Sequence, residues 1–304
     1  MNMTNILLNY SNQSGRTLFV LISILTLVFT SNITIAEESS GKQRPVLKVC
    51  ADPELMPLSN KNEEGMENKV ADLLAKELGA EVEYVWFPQR IGFIRNTLRS
   101  EENGVYKCDL VMSVPEHFEL AATTKPYYAA TYVMVYIKGR GLDSVIEPEM
   151  LETLNNERKD IKMGLFDRGP AQLWVFYHNL MDNMVPYQFQ MGDPKINPTE
   201  VILSDLYDGK FDATIVWGPT AAYYASKNKD RGEMVILPLK DDPKRAQMKF
   251  VYNMSMAVRF GDNEWKEQLN EFINKQQEGI NDIISSYGIP IVEVVAKPVA
   301  NDDD

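Results

Sequence analysis

The chain has 304 residues, a formal charge of −12 and 44% hydrophobic residues. That acidic balance argues against nucleic acid as a partner and fits either basic partners or a well-solvated surface, while the length allows one large domain or two lobes. Two cysteines and two histidines leave little capacity for metal and no Cys-x-x-Cys-His haem attachment, so neither metal nor cofactor is expected.

Residues 1–36 carry no acidic residue and a single base, Arg16. An apolar run from Leu18 to Phe29 leads to a small-residue exit at Thr34-Ile35-Ala36, which predicts a secretory signal cleaved before Glu37 and a mature chain free in the periplasm. The run is too short for a bilayer span of about 20 residues. In that oxidising compartment Cys50 and Cys108 are candidates for one disulfide. They sit late in one strand and at the opening of another, where their Cα atoms could exceed the ~7 Å limit, so the sequence leaves the pairing open.

Val46 to Ala51 is an apolar run stopped by Asp52-Pro53, as expected of a buried parallel strand whose carboxyl end opens onto a crevice. Met66, Val70, Leu73, Leu74 and Leu78 recur at helical spacing up to a stop at Gly79. Strand 81–87, helix 91–98 and strand 109–113 follow, the order of a parallel sheet wound with helices. Tyr132 to Ile137 reads as a crossing into a second lobe. There the order restarts, with strands at 161–165, 187–190, 213–217 and 234–237 and helices at 170–181, 198–207 and 220–226. A β-prone stretch over 249–259 and an amphipathic helix from Trp265 to Tyr287 return to the first lobe. The expected fold is α/β, with two doubly wound lobes, 37–137 plus 245–304 and 138–244, joined by a two-segment hinge.

Val49-Cys50-Ala51-Asp52-Pro53, the Pro57 loop, Ser59-Asn60, Gly65-Met66, Glu67-Asn68-Lys69, Phe93 to Leu98, Cys108-Asp109 and Lys125-Pro126-Tyr127-Tyr128 occur in this order. Together they resemble bilobed periplasmic solute-binding proteins of the amino-acid-binding type. More narrowly, they resemble the MxaJ/XoxJ-type binding proteins associated with quinoprotein (methanol) dehydrogenases. The resemblance spans residues 46 to 290. It implies a monomeric periplasmic accessory protein whose partner is a quinoprotein (pyrroloquinoline quinone) alcohol dehydrogenase, or that enzyme's c-type cytochrome. The implied role is in maturation, cofactor loading or electron-transfer assembly.

Amino-acid binders of this type hold a carboxylate with an arginine that the resemblance aligns with His117. Their Gly-Thr at a helix start falls at Gly169-Pro170, and their ammonium-binding aspartate falls at Trp217. A neutral imidazole is no bidentate fork and Pro170 has no N–H, so a free amino acid is not the expected ligand. The inferred cleft is edged by Asp52, Glu54, Met56, Glu116, His117, Phe118, Tyr127, Tyr128, Phe166, Asp167, Arg168 and Trp217. Such an aromatic, mixed-charge set suits a polypeptide segment, although Phe118, Tyr127 and Phe166 fit equally well as packing under loops. The alternative is a transporter-fed binding protein for a small organic solute or peptide. Catalysis would draw on Glu116, His117 and Asp167. With no nucleophile elbow, dinucleotide fingerprint or Walker loop, none is expected.

Overall fold

The computed structural model describes residues 44–289, apart from 168, 190 and 194, together with Val294. The signal segment 1–36, Arg168 and nearly all of the tail after Ile289 lie outside the described residues.

The first winding runs β1 (Val46–Ala51), α1 (Met66–Leu78), β2 (Glu81–Trp86), α2 (Phe93–Asn96) and β3 (Leu110–Pro115). β1 is central and parallel to both neighbours, pairing Val46 with Glu81 on one side and Val49 with Leu110 on the other. α1 begins at Gly65, where an added Cβ would lie 2.2 Å from the Leu58 carbonyl oxygen, so only glycine lets the helix start this close to the preceding loop. The Asn68 side chain accepts hydrogen bonds from the Gly65 and Asn60 N–H groups and fixes that entry. α2 is shorter than the spacing of 91–98 predicts. Gly92 is left-handed at its start, and the Thr97 hydroxyl donates to the Phe93 carbonyl at its end, which leaves Ile91 outside the helix and 85% exposed.

β4 (Ala122–Ile137) is longer than the Tyr132–Ile137 crossing read from sequence. Its first part pairs antiparallel with β9 (Val251–Val258), and the ladder shifts register beside Pro126, which has no N–H to donate. Beyond Thr131 the same strand pairs with β7 (Ala213–Trp217) and β8 (Met234–Pro238). The second winding adds α3 (Met150–Arg158), β5 (Met163–Phe166), α4 (Pro170–Tyr177), β6 (Met184–Tyr187), α5 (Pro198–Tyr207) and α6 (Gly218–Lys227). α3 has few apolar residues and buries only Leu151 and Asn155, so its sequence shows no helical stripe. One continuous ladder, β6-β5-β7-β4-β9-β3-β1-β2 with β8 also on β4, therefore runs through both halves.

Each half has its own core. α1 and α7 (Asn263–Ser286) bury Val70, Leu74, Trp265, Leu269 and Ile273 against one part of the sheet. Leu151, Leu165, Trp174 and Ile215 centre another cluster. The halves are tied where β4 changes partners. The Leu239 N–H donates to the Tyr132 carbonyl at 2.9 Å, the Tyr132 N–H donates to Phe250 at 3.1 Å, and the buried Thr131 hydroxyl donates to the Leu239 carbonyl at 2.7 Å. Cys50 and Cys108 are bonded, with Cα atoms 5.6 Å apart, inside an apolar cluster with Phe93, Ile94 and Leu98.

Candidate functional site

The carboxyl ends of β1, β2 and β3 face one side, as in other wound sheets, and residues of both halves enclose a cleft of about 640 Å³ there. Asp52 and Glu54 follow β1, Pro88 to Ile91 follow β2, and Ser113 and Pro115 belong to β3. Trp217 at the end of β7 and Thr220 in α6 face them, with Phe189, Met191, Ile196 and Thr199 along the rim.

Strand register builds the back wall. Trp217 pairs with Tyr132 on the β7–β4 ladder, and their ring centroids lie 5.3 Å apart. Tyr252 on β9 closes the group at 6.0 Å from Trp217 and 6.3 Å from Tyr132. Burial, reinforced by Tyr252, pushes the Tyr132 phenol up to about 12, which keeps its hydroxyl neutral and able to donate.

The floor is polar. Asp52 is 8% exposed and accepts backbone N–H bonds from Glu54 and Gln89, which pins the loop after β1 to the exit of β2. Burial raises its carboxyl above the usual range, the two backbone bonds oppose the rise, and the charge of Glu54 adds to it. Ser113 is held in the left-handed region at φ 52. Its N–H donates to the Tyr127 hydroxyl at 3.1 Å, and the Tyr128 hydroxyl donates to its Oγ at 3.1 Å. Below them Glu67, 7% exposed, is pushed up to about 7 by burial, with the Ser113 hydroxyl opposing and Asp52 adding to the shift. Its Oε1 is buried with no hydrogen-bond partner among the described residues.

Of the residues expected at the cleft, Asp52, Glu54, Tyr128 and Trp217 line it. Tyr127 is core, 1% exposed, with its hydroxyl on Ser113. Phe166 packs in the second half beneath Phe189, rings 5.7 Å apart, and Phe118 packs against the disulfide cluster. Met56 lies on a separate cavity of about 300 Å³ with Glu64, Tyr223 and Tyr287. Glu116 accepts from the Asn253 side chain at 3.0 Å, His117 is exposed at φ 61, and Asp167 is exposed. Glu116, His117 and Asp167 are not among the residues lining the cleft, so this acid/base trio does not converge there. Sequence reasoning missed Tyr132, Tyr252, Ile91 and Phe189. Ile91 falls at the start of the helix expected over 91–98 and Phe189 inside the strand expected over 187–190, whereas the structure leaves both in loops after strands that end at Trp86 and Tyr187.

No family model matches the chain. Protein MoxJ of Methylorubrum extorquens is 25% identical over 274 residues, covering 85% of this chain and 86% of the relative. The crystal structure of periplasmic binding protein XoxJ from Methylobacterium extorquens AM1 superposes with a TM-score of 0.64 at 27% identity, over 82% of this chain and all of that one. MxaJ from Methlophaga aminisulfidivorans MPT gives 0.63 at 26% identity, over 81% of this chain and all of that one. The chain is homologous to MoxJ, MxaJ and XoxJ. An ancestral arginine-binding protein shares the fold alone, with a TM-score of 0.54 at 21% identity, over 82% of this chain and all of that one. The architecture is thus that of the bilobed periplasmic binding proteins of the amino-acid-binding type, and the J-type homologies extend over both halves. No described helix is long and apolar enough to cross a membrane, and no described group of three His, Cys, Asp or Glu side chains could hold a metal ion.

Proposed function

We propose that this protein is a non-catalytic periplasmic accessory factor of a quinoprotein methanol or alcohol dehydrogenase, and that its cleft holds a polypeptide segment of that enzyme during maturation, cofactor loading or assembly with the cytochrome. The partner class comes from homology to the J-type proteins. The observation that carries the reading is the lining of the cleft. Tyr132, Trp217 and Tyr252 form an aromatic wall, and Ile91, Phe189 and Ile196 stand 85%, 61% and 43% exposed at its mouth. Large apolar side chains kept in water around a concave site are what a protein partner covers. In this reading one lobe comprises residues up to about 137 and from about 245 onward, the other the residues between. Opening would then pivot on the two crossings tied at Thr131 and Tyr132.

The test is dehydrogenase activity and quinone occupancy in cells lacking the gene, paired with pull-down of the dehydrogenase at low salt. Loss of either cellular readout together with capture supports the role. Normal activity and occupancy without capture would refute it. A second reading is transport of a small organic solute other than a free amino acid. It is favoured by a cleft volume of about 640 Å³, within the range of small-ligand pockets. A small molecule retained through purification and seen by native mass spectrometry would select it.

A further inference from the structure

Two helices of the second half start at the cleft. α5 is closed by its own cap, the Asn197 side chain accepting from the Thr199 N–H at 3.0 Å. α6 has no such cap. Trp217 stands at its N-cap position with no side-chain oxygen to offer, Pro219 has no N–H, and the first turn carries no acidic residue. The positive end of this ten-residue helix is therefore left to an acceptor from outside.

A second observation points the same way. Thr220, in the first turn of α6, lines the cleft while only 7% exposed, and its side chain makes no hydrogen bond among the described residues. Its hydroxyl is not one of the unpartnered polar atoms sealed in the interior, so it opens to solvent, and the open space that Thr220 borders is the cleft. A hydroxyl this deep costs stability until something satisfies it. Ser113 and Tyr128, the lining's other hydroxyl residues of comparable burial, are already bonded to one another at 3.1 Å.

The rest of the lining narrows the chemistry of the acceptor. Asp52, Glu54 and Asp193 line the cleft against one cation, Arg90, which is exposed at the mouth, so an anion would meet a net negative field. A neutral oxygen escapes that repulsion and still accepts from the hydroxyl. A peptide carbonyl is such a group, and the rings of Trp217 and Tyr132 beside the helix start can take the apolar side chains that flank it.

Resting on the reading of the cleft as a polypeptide site, we propose that the start of α6 is a carbonyl subsite, where the held segment sets a neutral peptide carbonyl against the Thr220 hydroxyl and the first turn of the helix. This bond ties the segment to the second half of the cleft, and Thr220 is a specificity-determining residue for it.

The test is capture of the purified dehydrogenase by the mature protein, by Thr220→Val and by Thr220→Ser, each beside a thermal melt. The hydroxyl is unpartnered in the free protein, so Thr220→Val should melt no lower than the parent while its affinity falls about fivefold, the loss of one buried hydrogen bond. Thr220→Ser keeps the hydroxyl and should bind within about twofold of the parent. The ratio of parent to Thr220→Val affinity should be the same in about 0.05 M and about 0.5 M salt, because a neutral carbonyl is not screened. A ratio that collapses in the higher salt marks a carboxylate and overturns the inference. Capture unchanged in Thr220→Val, capture weakened equally in both variants, or a lower melting temperature for Thr220→Val also overturns it and leaves the polypeptide reading standing. Absence of capture by the parent protein overturns both.

Discussion

Tyr132 and Trp217 face one another across the ladder between β4 and β7, their ring planes at 71° and their centroids 5.3 Å apart. Tyr132 is the residue at which β4 leaves one set of partners for the other, so the aromatic wall and the crossing between halves are one structure. An occupant that touches the wall touches the crossing.

Trp217→Ala should therefore weaken capture of the partner segment by about tenfold or more, because central aromatic anchors dominate interfaces of this kind. Trp217 is only half-buried, so stability should fall by just about 1–2 kcal/mol. Affinity by calorimetry beside a thermal melt separates the two effects. Full affinity in a folded variant would remove the wall from the binding surface.

Gly218 follows directly. An added Cβ would lie 2.5 Å from the Thr131 carbonyl oxygen and 3.1 Å from Val133 Cγ1, so α6 starts against the backbone of the crossing strand. Gly218→Ala should cost about 1–3 kcal/mol, since a backbone carbonyl in a paired strand cannot step aside cheaply. Gly192, with nothing within 4 Å of its added Cβ, is the control and should change stability by less than about 0.5 kcal/mol. Urea unfolding of both variants checks the contrast.

The disulfide joins residues 58 apart in sequence, and a loop of that length restricts the unfolded chain by about 4 kcal/mol in the chain-entropy account. Cys50→Ala/Cys108→Ala should lose about 2–4 kcal/mol, with some of the loss coming from the shrunken cluster around Phe93, Ile94 and Leu98. Denaturant unfolding of the oxidised protein and the double variant measures it. Equal midpoints would mean the bond adds nothing to stability.

Glu67 gives a pH signature. Its carboxyl ordinarily titrates near 4.5 and is pushed up to about 7 in the fold, chiefly by burial. The native state then holds a proton that the unfolded chain has released. Stability from this group is whole below about 4.5 and is lost as pH rises through about 7, up to about 3 kcal/mol. Asp52, Ser113, Tyr127 and Tyr128 are the groups around it, and Asp52 acts in the same direction. Glu67→Gln should accordingly be more stable than the parent at about pH 8 and close to it near pH 4. Melting curves across that range test the sign, and a variant less stable at every pH would contradict it.

Most of the first winding, α2 excepted, was legible because its signals were local. The apolar run of β1, the heptad-like stripe of α1 and the stop at Gly79 all fall where the structure has them. The front half of β4 was hidden because Pro126 reads as a breaker, and a bulge opposite Ser255 is what lets it sit inside a strand. The site was legible only in part for a related reason. Asp52 and Trp217 end strands, where ligand-facing residues are expected. Tyr132 and Tyr252 lie within strands, and which partner each meets depends on long-range register that no local pattern carries. Tyr127 and Tyr128 are neighbours of one chemistry, yet one is core and the other lines the cleft, a difference set by strand alternation and the bulge beside them.

Common free amino acids should bind no tighter than about 1 mM, equivalent to roughly 4 kcal/mol. A zwitterion needs a fork for its carboxylate and an acid for its ammonium. His117 stands exposed and is not among the residues lining the cleft, and Pro170 occupies the first position of α4 without an N–H to offer. At the end of β7 the indole of Trp217 packs on Tyr132 and Tyr252, so apolar rings occupy the wall there. Arg90 lines the mouth, but it is exposed and a surface guanidinium holds a carboxylate weakly. Calorimetry with the common amino acids, run on protein unfolded and refolded to clear any carried ligand, should show no saturable heat in the micromolar range. A micromolar isotherm with any of them would mean that Asp52 and Glu54 anchor an ammonium without a carboxylate clamp. The aromatic wall would then be the side of a small-solute pocket.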